Sequence, residues 1–221
     1  MGTKEKIAII LGATGLTGGL LLQFLLDDAW YSKIILFSRY PIGFSHPKMQ
    51  EHLVDLLDLD AVAPLFKADE VYCCIGTTKA KTKDRKRYRE IDFGIPVSAA
   101  KLCLRNGIDH FLVISAMGAN SGSSLFYNRT KGEMEKEVLR MGIGKVHILR
   151  PSLISGKREE VRVGEWIFKQ LMKLLNLVFV GPLEKYRSIA PETIAKAMIW
   201  LANNPYDMTV IESDKIKKIG Q

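Results

Sequence analysis

A glycine-rich turn between an apolar strand and an apolar helix is the feature that most constrains this chain. The run Ile7–Leu11 predicts a buried strand, the letters GATGLTGG follow over residues 12–19, and Leu20–Leu26 has the character of a buried helix. A strand, a glycine turn and a helix in direct succession form the first part of a βαβ unit. The opening of the chain therefore predicts an α/β architecture.

Each glycine of the turn has its own physical use. Gly12 permits a tight turn, Gly15 lets the backbone come close to a bound group, and Gly18 allows the helix to pack closely on the strand. The helix is predicted to begin near Thr14, where free N–H groups and the positive end of the helix dipole attract an anion. Because a strand precedes the glycines and a helix follows them, the pattern favours binding of a dinucleotide through its pyrophosphate.

The alternation of short apolar runs and helical patterns continues along the chain. Further strands are predicted at Ile34–Phe37, Val71–Ile75, Phe111–Ile114 and Lys145–Leu149, and further helices at Pro96–Leu104 and Thr130–Arg140. The strands are continuously hydrophobic, as in a parallel sheet that helices cover on both faces. We therefore expect an α/β, Rossmann-type doubly wound parallel sheet in a single domain over residues 1–221, with residues 152–221 contributing a small C-terminal cap.

Composition indicates the class of protein and its expected location in the cell. The 221 residues are 47% hydrophobic and 25% charged, which is typical of a globular protein. Three cysteines, of which Cys73 and Cys74 are adjacent, do not suggest a secreted disulfide framework, so a cytoplasmic location is expected. No signal peptide is recognised, and the most membrane-like stretch, Trp166–Val180, contains Lys169 and Lys173. We expect an amphipathic helix there and no membrane span.

The end of the second strand bears on which dinucleotide is bound. An NAD-binding unit usually carries an acidic residue about 20 residues beyond the glycines, where it holds the ribose hydroxyls of the adenosine. Ser38 and Arg39 occupy that point here. A guanidinium in place of a carboxylate favours a 2′-phosphate through charge-assisted hydrogen bonds. These residues favour NADP over NAD, and a solvated arginine at a strand end is the alternative.

A tyrosine and a lysine four residues apart are the candidate catalytic pair. Tyr127 and Lys131 lie on one face of the helix that is predicted to start there. A nearby ammonium lowers the pKa of a phenol from about 10 towards the range useful for acid–base catalysis. Ser115 follows the strand Phe111–Ile114 at the carboxyl edge of the sheet, where we expect its hydroxyl to hold a substrate carbonyl. A surface pair without catalytic consequence is the alternative for the tyrosine and the lysine.

Further motifs follow the predicted strands in order along most of the chain. They are Asp55-Leu56, Cys73-Cys74-Ile-Gly-Thr-Thr78, Ser115, Tyr127 with Lys131-Gly-Glu-Met-Glu135, and Arg150-Pro151 leading to Gly164-Glu-Trp166. With the glycine turn, this order resembles the short-chain dehydrogenase/reductase superfamily, and most of all its atypical branch, which contains the human Tat-interacting, tumour-suppressor-type oxidoreductase and its bacterial relatives. Two positions depart from that branch: Ala116 stands where relatives often have a second serine, and Tyr40 where a second arginine is common.

The resemblance implies a role for each of these positions. Hydride would move between a nicotinamide and the carbon of a carbonyl or alcohol substrate, with Tyr127 giving or taking the proton, Lys131 binding the nicotinamide ribose and Ser115 completing the catalytic set. The implied cofactor-binding residues are Gly12, Thr14, Gly15, Leu16, Thr17 and Gly18 at the pyrophosphate, Arg39 at the 2′-phosphate, Asp55 and Leu56 at the adenine, Gly76, Thr77 and Thr78 at the ribose side, and Pro151 and Leu153 at the nicotinamide, besides Tyr127 and Lys131.

A basic segment follows the fourth strand. Residues Lys79–Arg89 hold seven cations against Asp84, and they predict a solvated loop beside the cofactor edge. Guidance of an anionic ligand is the alternative, whereas contact with nucleic acid is disfavoured because only Tyr88 interleaves the cations. The four histidines lack metal-ligand spacing, so no metal is expected.

Three functions stay open on the sequence. An NADP-dependent oxidoreductase of short-chain dehydrogenase type leads, with a cap between Lys157 and Pro182 shaping the substrate pocket. The second is an NADP(H)-binding regulator or scaffold with negligible turnover, which acts on a protein partner according to the redox state of the cofactor. A nucleotide-sugar epimerase is disfavoured, because residues 151–221 leave little room for a sugar-nucleotide lobe.

Overall fold

A seven-stranded parallel sheet forms the centre of the molecule. The computed structural model describes residues 5–78, 80–155 and 186–221. The strands are β1 (Lys6–Leu11), β2 (Tyr31–Ser38), β3 (Met49–Leu53), β4 (Glu70–Cys73), β5 (His110–Ile114), β6 (Lys145–Arg150) and β7 (Val210–Glu212). They lie in the order β3-β2-β1-β4-β5-β6-β7. The strand order reverses between β1 and β4, and open α/β sheets bind their ligands at such a switch point.

Helices cover both faces of this sheet. They are α1 (Leu16–Asp27), α2 (Arg85–Arg89), α3 (Ile95–Arg105), α4 (Phe126–Arg140), α5 (Pro191–Asn203) and α6 (Ser213–Ile219), with a 3₁₀ helix at Leu59–Leu65 and a π-helical turn at Glu90–Gly94. One core lies between the sheet and α1, α5 and α6, and the other between the sheet and the 3₁₀ helix, α3 and α4. The predicted doubly wound parallel sheet is confirmed.

Alternate residues of each central strand enter the two cores. In β1, Ala8 and Ile10 face the layer of α1 and α5, whereas Ile9 and Leu11 face the layer of α3 and α4, and all four are fully buried. Burial on both faces is the reason why these strands are continuously apolar. By contrast, β3 is polar because it lies at the edge of the sheet and none of its side chains is fully buried.

Two buried histidines join β5 and β6 at the amino-terminal edge of the sheet. His110 Nε2 lies 3.1 Å from His147 Nδ1, and His147 Nε2 lies 3.3 Å from the carbonyl oxygen of Tyr206. Because a carbonyl can only accept, His147 carries its proton on Nε2 and His110 donates to the other nitrogen. Burial, followed by the charges of His147 and Lys145, lowers the pKa of His110 to about 3, and burial also lowers that of His147. Both rings are therefore neutral in the folded protein near pH 7.

The described part of the C-terminal region consists of α5, β7 and α6 with the segments beside them. The predicted cap between Lys157 and Pro182, the amphipathic stretch Trp166–Val180, the Gly164-Glu-Trp166 motif and Lys79 lie outside the described residues. Among residues 5–78, 80–155 and 186–221, no helix combines the length and the apolar character needed to cross a membrane.

Candidate active site

The glycine turn follows β1 at the switch point. Gly12 has a φ of +90°, and a Cβ atom there would lie 3.0 Å from the carbonyl oxygen of Cys74. The N–H of Gly15 donates to the carbonyl of Gly12 over 3.0 Å. A Cβ on Gly18 would lie 2.2 Å from that same carbonyl oxygen. Glycine is therefore required at positions 12 and 18 by the close approach of the turn to β4 and α1.

The first turn of α1 presents backbone donors at this edge of the sheet. Its N-cap residue, Gly15, is extended, and no side chain caps the helix. The first N–H groups of a helix have no partners within the helix. Thr14 and Gly15 are exposed, Leu16 is half-buried and Thr17 is buried. The turn therefore offers N–H donors and the positive end of the helix dipole to an anion.

Arg39 is the exposed charged residue next to the end of β2. The Ser38 side chain is buried, and its hydroxyl donates to the carbonyl of Tyr40 over 2.9 Å. The Arg39 guanidinium lies over the Tyr40 ring, 5.6 Å from its centroid. Stacking uses the flat face of a guanidinium and keeps the N–H donors at its rim. The carboxylate of Glu51 accepts from the backbone N–H of Ile42 over 2.9 Å, which ties this acid to the local turn.

Asp55 and Leu56 follow β3. The N–H of Val54 donates to the carbonyl of Ser38 over 2.9 Å, so this segment lies beside the end of β2. Asp55 is exposed and accepts from the N–H of Leu57, whereas the Leu56 side chain is buried in the core. Leu56 can therefore contact a ligand through its backbone alone.

Three hydrogen bonds hold Thr77 after β4. Its N–H donates to Asp92 Oδ2 over 2.8 Å, its hydroxyl lies 2.9 Å from that of Thr82, and its carbonyl accepts from the Tyr88 hydroxyl over 3.3 Å. The neighbouring Thr78 is half-buried. The segment from residue 76 to residue 78 is thus fixed by the turn and the helix that come after it.

Lys131 is buried and paired with Asp92. The two side chains are 3% and 1% exposed, Lys131 Nζ lies 3.0 Å from Asp92 Oδ1, and it donates to the Ile114 carbonyl over 3.3 Å. Burial alone would lower the pKa of Lys131, but the charges of Asp92 and Tyr127 raise it, so the ammonium stays charged. A Cβ on Gly76 would lie 3.8 Å from Lys131 Nζ. The structure thus brings Lys131 to the end of β4.

Tyr127 lies one turn before Lys131 in α4 and is 43% exposed. Its ring packs edge-on against Tyr88, with the centroids 6.2 Å apart, and Tyr88 also packs on Phe126 at 5.6 Å. Burial, followed by the charges of Asp92 and Tyr127, raises the pKa of Tyr88, which is therefore a neutral phenol. Tyr127 is the accessible phenol of this pair, and a charged lysine lies next to it.

Ser115 follows β5 at the carboxyl edge of the sheet, and its hydroxyl is engaged within the protein. Its side chain is 3% exposed, and its hydroxyl donates to the carboxylate of Glu135 on the buried face of α4. Arg150 holds the same carboxylate through hydrogen bonds of 3.0 and 2.5 Å. Strand residues alternate between faces, and Ser115 falls with Val113 on the face that α4 covers. In this arrangement the hydroxyl is bonded to Glu135, and its contact with a substrate carbonyl stays a prediction.

Pro151 and Leu153 follow β6. The carbonyl of Pro151 accepts from the N–H of Met117 over 3.0 Å, which joins the segments after β5 and β6. Pro151 is buried, whereas Leu153 is exposed. Leu153 therefore offers an apolar side chain at the carboxyl edge.

The basic segment is partly helical, which corrects the prediction of a loop. Asp84 caps α2, since its carboxylate accepts from the backbone N–H groups of Lys86 and Arg87 over 3.1 and 3.2 Å. An aspartate in this position stabilises a helix by satisfying its first donors.

Asp92 and Tyr88 are functional candidates that sequence reasoning missed. An acidic residue in an amphipathic helix usually lies at the surface. Asp92 instead lies inside the π-helical turn Glu90–Gly94, whose wider winding changes the direction of its side chain. The available signal was Lys131, because a buried ammonium requires an acidic partner nearby.

Sequence comparison identifies relatives over most of the chain. The model of a family described as the NAD dependent epimerase/dehydratase family matches residues 8–210. Protein HTATIP2 of Rattus norvegicus is 32% identical over 171 residues, which cover 76% of this chain and 70% of that protein. Mitochondrial protein FMP52 of Candida albicans is 31% identical over 156 residues, which cover 68% of each.

Solved structures share the fold. WbmH of Bordetella bronchiseptica in complex with NAD+ has a TM-score of 0.69 at 14% identity, with 94% of this chain and 75% of that chain covered. A UDP-N-acetylglucosamine 4-epimerase from Methanobrevibacter ruminantium M1 has the same TM-score at 19% identity, with 94% and 76% covered. At such identities the likeness is one of fold.

These comparisons confirm the predicted superfamily, its atypical branch and the NAD(P)-dependent oxidoreductase class of enzyme. One prediction is wrong. The FMP52 relatives from Candida albicans, Debaryomyces hansenii and Aspergillus niger are named as mitochondrial, which contradicts the cytoplasmic location inferred from the cysteines. Thiols without disulfides show only that the fold does not need cross-links, and they do not identify a compartment. The chain belongs to the NAD dependent epimerase/dehydratase family.

Proposed function

We propose that this protein is an NADP-dependent oxidoreductase that interconverts a carbonyl compound and an alcohol, with Tyr127 as the acid and base. The observation that carries the proposal is an exposed phenol one helical turn from the buried, charged Lys131, at the end of β4. The bound dinucleotide supplies or accepts the hydride. Tyr127 gives the proton to the substrate oxygen in reduction and takes it in oxidation.

The described residues fit a dinucleotide. The glycines at positions 12 and 18 let the turn lie tightly against the end of β4 and against α1, and the first N–H groups of α1 have no side-chain cap, so they stay available to a pyrophosphate. The residues proposed to hold the cofactor are Gly12, Thr14, Gly15, Leu16, Thr17 and Gly18 at the pyrophosphate, Arg39 at a 2′-phosphate, Asp55 and the Leu56 backbone at the adenine, and Gly76, Thr77, Thr78, Lys131, Pro151 and Leu153 towards the nicotinamide.

Lys131 performs two tasks in this proposal. Its ammonium would donate to the nicotinamide ribose of a bound cofactor, and its charge stabilises the phenolate form of Tyr127. Asp92 supports both tasks because it keeps the ammonium charged within an otherwise unfavourable buried position.

A second candidate function is favoured by Ser115. Its buried hydroxyl is bonded to Glu135 and Ala116 follows it, so one group of the implied catalytic set is engaged within the protein. A protein that binds NADP(H) and signals its redox state to a protein partner, with negligible turnover, fits that observation.

The oxidation of NADPH in the presence of aldehydes, ketones and quinones tests the two functions. For an oxidoreductase, Tyr127→Phe lowers kcat by about 100-fold or more, because positioned proton transfer contributes that much, while the Kd for NADPH changes little. Tyr206→Phe is the matched control, because the Tyr206 phenol lies at the opposite edge of the sheet beside His147. This variant should have the kcat of the wild type. Tight NADPH binding without turnover of any substrate supports the regulator instead.

Arg39→Ala tests the preference for NADP. It should raise the Kd for NADPH more than the Kd for NADH, and an unchanged ratio of the two contradicts the preference.

A further inference from the structure

The basic segment, residues 80–89, is built directly onto the candidate active site. The N–H groups of Lys81 and Thr82 donate to the carbonyl of Thr78 over 3.0 and 2.9 Å, and the hydroxyls of Thr82 and Thr77 are 2.9 Å apart. The turn that precedes α2 therefore packs on the segment that follows β4.

Tyr88 fixes α2 against the catalytic tyrosine. Its side chain is buried, its hydroxyl donates to the Thr77 carbonyl over 3.3 Å, and its ring packs against Tyr127 and Phe126. The cations of α2 are consequently held close to the exposed phenol.

The arginines of α2 differ in what they contact. Arg87 pairs with Glu90 at 3.2 Å, and Arg89 pairs with Glu133. Arg85 lies over the ring of Phe126, 5.4 Å from its centroid, and forms no ion pair with any residue in the described parts of the chain. Phe126 and Tyr127 both pack on the ring of Tyr88, so this guanidinium belongs to the same group of side chains as the reacting phenol.

We propose that Arg85 binds an oxyanion of the substrate, and that the protein acts on carbonyl compounds that carry a carboxylate or a similar anionic group. This inference rests on the proposed function. Stacking on Phe126 orients the guanidinium while its rim donors stay available for a bidentate contact. Lys81, Lys83 and Lys86 are also exposed on this segment, and the chain has a formal charge of +8, so the local field attracts an anion.

Binding to the complex of the protein with NADP+ tests this inference without requiring turnover. Calorimetry compares para-carboxybenzyl alcohol with benzyl alcohol, which differ by one carboxylate. We expect the anionic alcohol to bind about tenfold more tightly, which corresponds to about 1.4 kcal/mol, because its carboxylate gains charge-assisted hydrogen bonds from Arg85. Added salt should reduce the difference. Arg85→Gln should bring the ratio of the two dissociation constants close to one.

Arg87→Gln is the matched control. It removes the same charge two residues away, from an arginine whose partner is Glu90, and it should keep the wild-type ratio. Equal binding of the two alcohols by the wild type, or equal effects of the two substitutions, would overturn the inference. So would a weaker affinity of Arg85→Gln for NADPH alone, because the guanidinium would then serve the cofactor.

Kinetics separate this inference from the proposed function. With para-carboxybenzaldehyde and benzaldehyde as substrates, Arg85→Gln should lower the ratio of their kcat/KM values about tenfold, in parallel with the binding ratio. If the anionic alcohol binds preferentially but neither aldehyde is reduced, the oxidoreductase proposal fails and the anion site stands.

Discussion

At the scale of single residues, Asp92 decides the charge of Lys131. A buried ammonium without a partner either loses its proton or destabilises the fold, because its hydration is lost. Here the carboxylate of Asp92 lies 3.0 Å away and raises the pKa of the lysine against the effect of burial. The charge of Lys131, which is expected to lower the pKa of Tyr127, thus depends on Asp92 in the π-helical turn.

Asp92→Asn should reveal this dependence. The amide can still accept from the Thr77 N–H, but the charge opposite Lys131 is lost. We expect unfolding at pH 7 to become easier by about 3 kcal/mol, as for other broken buried pairs. The pKa of Lys131 then falls below that of an unfolded lysine, so the unfolded state binds more protons and the stability of the variant rises towards pH 10. Urea unfolding between pH 7 and pH 10 measures the effect.

The double variant Asp92→Asn with Lys131→Met is its control. Removing the ammonium as well should recover much of the lost stability, because no unpaired charge is then buried. A loss that does not change with pH in the single variant would contradict this account.

Only some residues of the candidate site can be predicted from patterns in the sequence. The glycines, Arg39, Tyr127 and Lys131 could be predicted because their spacing reflects one local element at a time. The contact of Ser115 with Glu135 depends on which face of the sheet α4 covers. The contact of Asp92 depends on a π-helical turn, which no hydrophobic periodicity marks.

At the scale of elements, α1 shows how closely a helix approaches a turn. Gly18 and Gly19 are adjacent in the helix, yet a Cβ on Gly18 would lie 2.2 Å from the Gly12 oxygen, and one on Gly19 would lie 3.3 Å from the Ala13 oxygen. Alanine favours a helix over glycine by about 1 kcal/mol. Alanine at either position gains the same helix propensity, but only at position 18 does it clash with the turn. Comparing the two variants therefore separates the effect of propensity from that of the clash.

Gly18→Ala should lower the free energy of unfolding by about 2 kcal/mol or more, because the new methyl group displaces the turn. It should also weaken NADPH binding. Gly19→Ala should change the free energy of unfolding by less than about 1 kcal/mol, since the contact it makes is tolerable and its propensity improves. Thermal unfolding and NADPH titration of both variants measure this difference, and equal effects would contradict the geometry of the turn.

The bounds of helices and strands can be predicted where local patterns determine them, but not where contacts with distant parts of the chain do. Strands of the interior were predictable because both of their faces are apolar, whereas the edge strand β3 is polar and its bounds were not. The helical part of the basic segment was hidden by its charge, since α2 is held by Asp84 and by the single buried ring of Tyr88.

At the scale of the whole molecule, the pair of His110 and His147 links folding stability to pH. Both pKa values are lowered by burial, that of His110 to about 3, so the folded state binds fewer protons than the unfolded state below about pH 6.5. This stabilisation is present above pH 6.5 and is lost as the pH falls towards 3. Each proton taken up on unfolding changes the stability by about 1.4 kcal/mol per pH unit.

Urea unfolding between pH 7 and pH 4 should therefore give a steep loss of stability for the wild type and a shallower one for His110→Gln, which has one histidine fewer to protonate. His46→Gln is the control, because His46 is only half-buried and takes no part in the buried histidine pair, and it should follow the wild-type slope. Parallel losses in the wild type and His110→Gln would show that carboxylates alone cause the acid sensitivity.

The four-residue spacing along α4 has a consequence for the whole molecule. Tyr127, Lys131 and Glu135 lie one turn apart. Lys131 forms a buried ion pair with Asp92, and Glu135 forms a partly buried one with Arg150. A helix can rotate about its axis and slide along it, and a shift by one residue means about 100° and 1.5 Å. Either movement would separate both pairs at once, so α4 has a single angular setting. The two ion pairs therefore also fix the position of Tyr127. A tyrosine and a lysine placed four residues apart on another helix would not be held in this way.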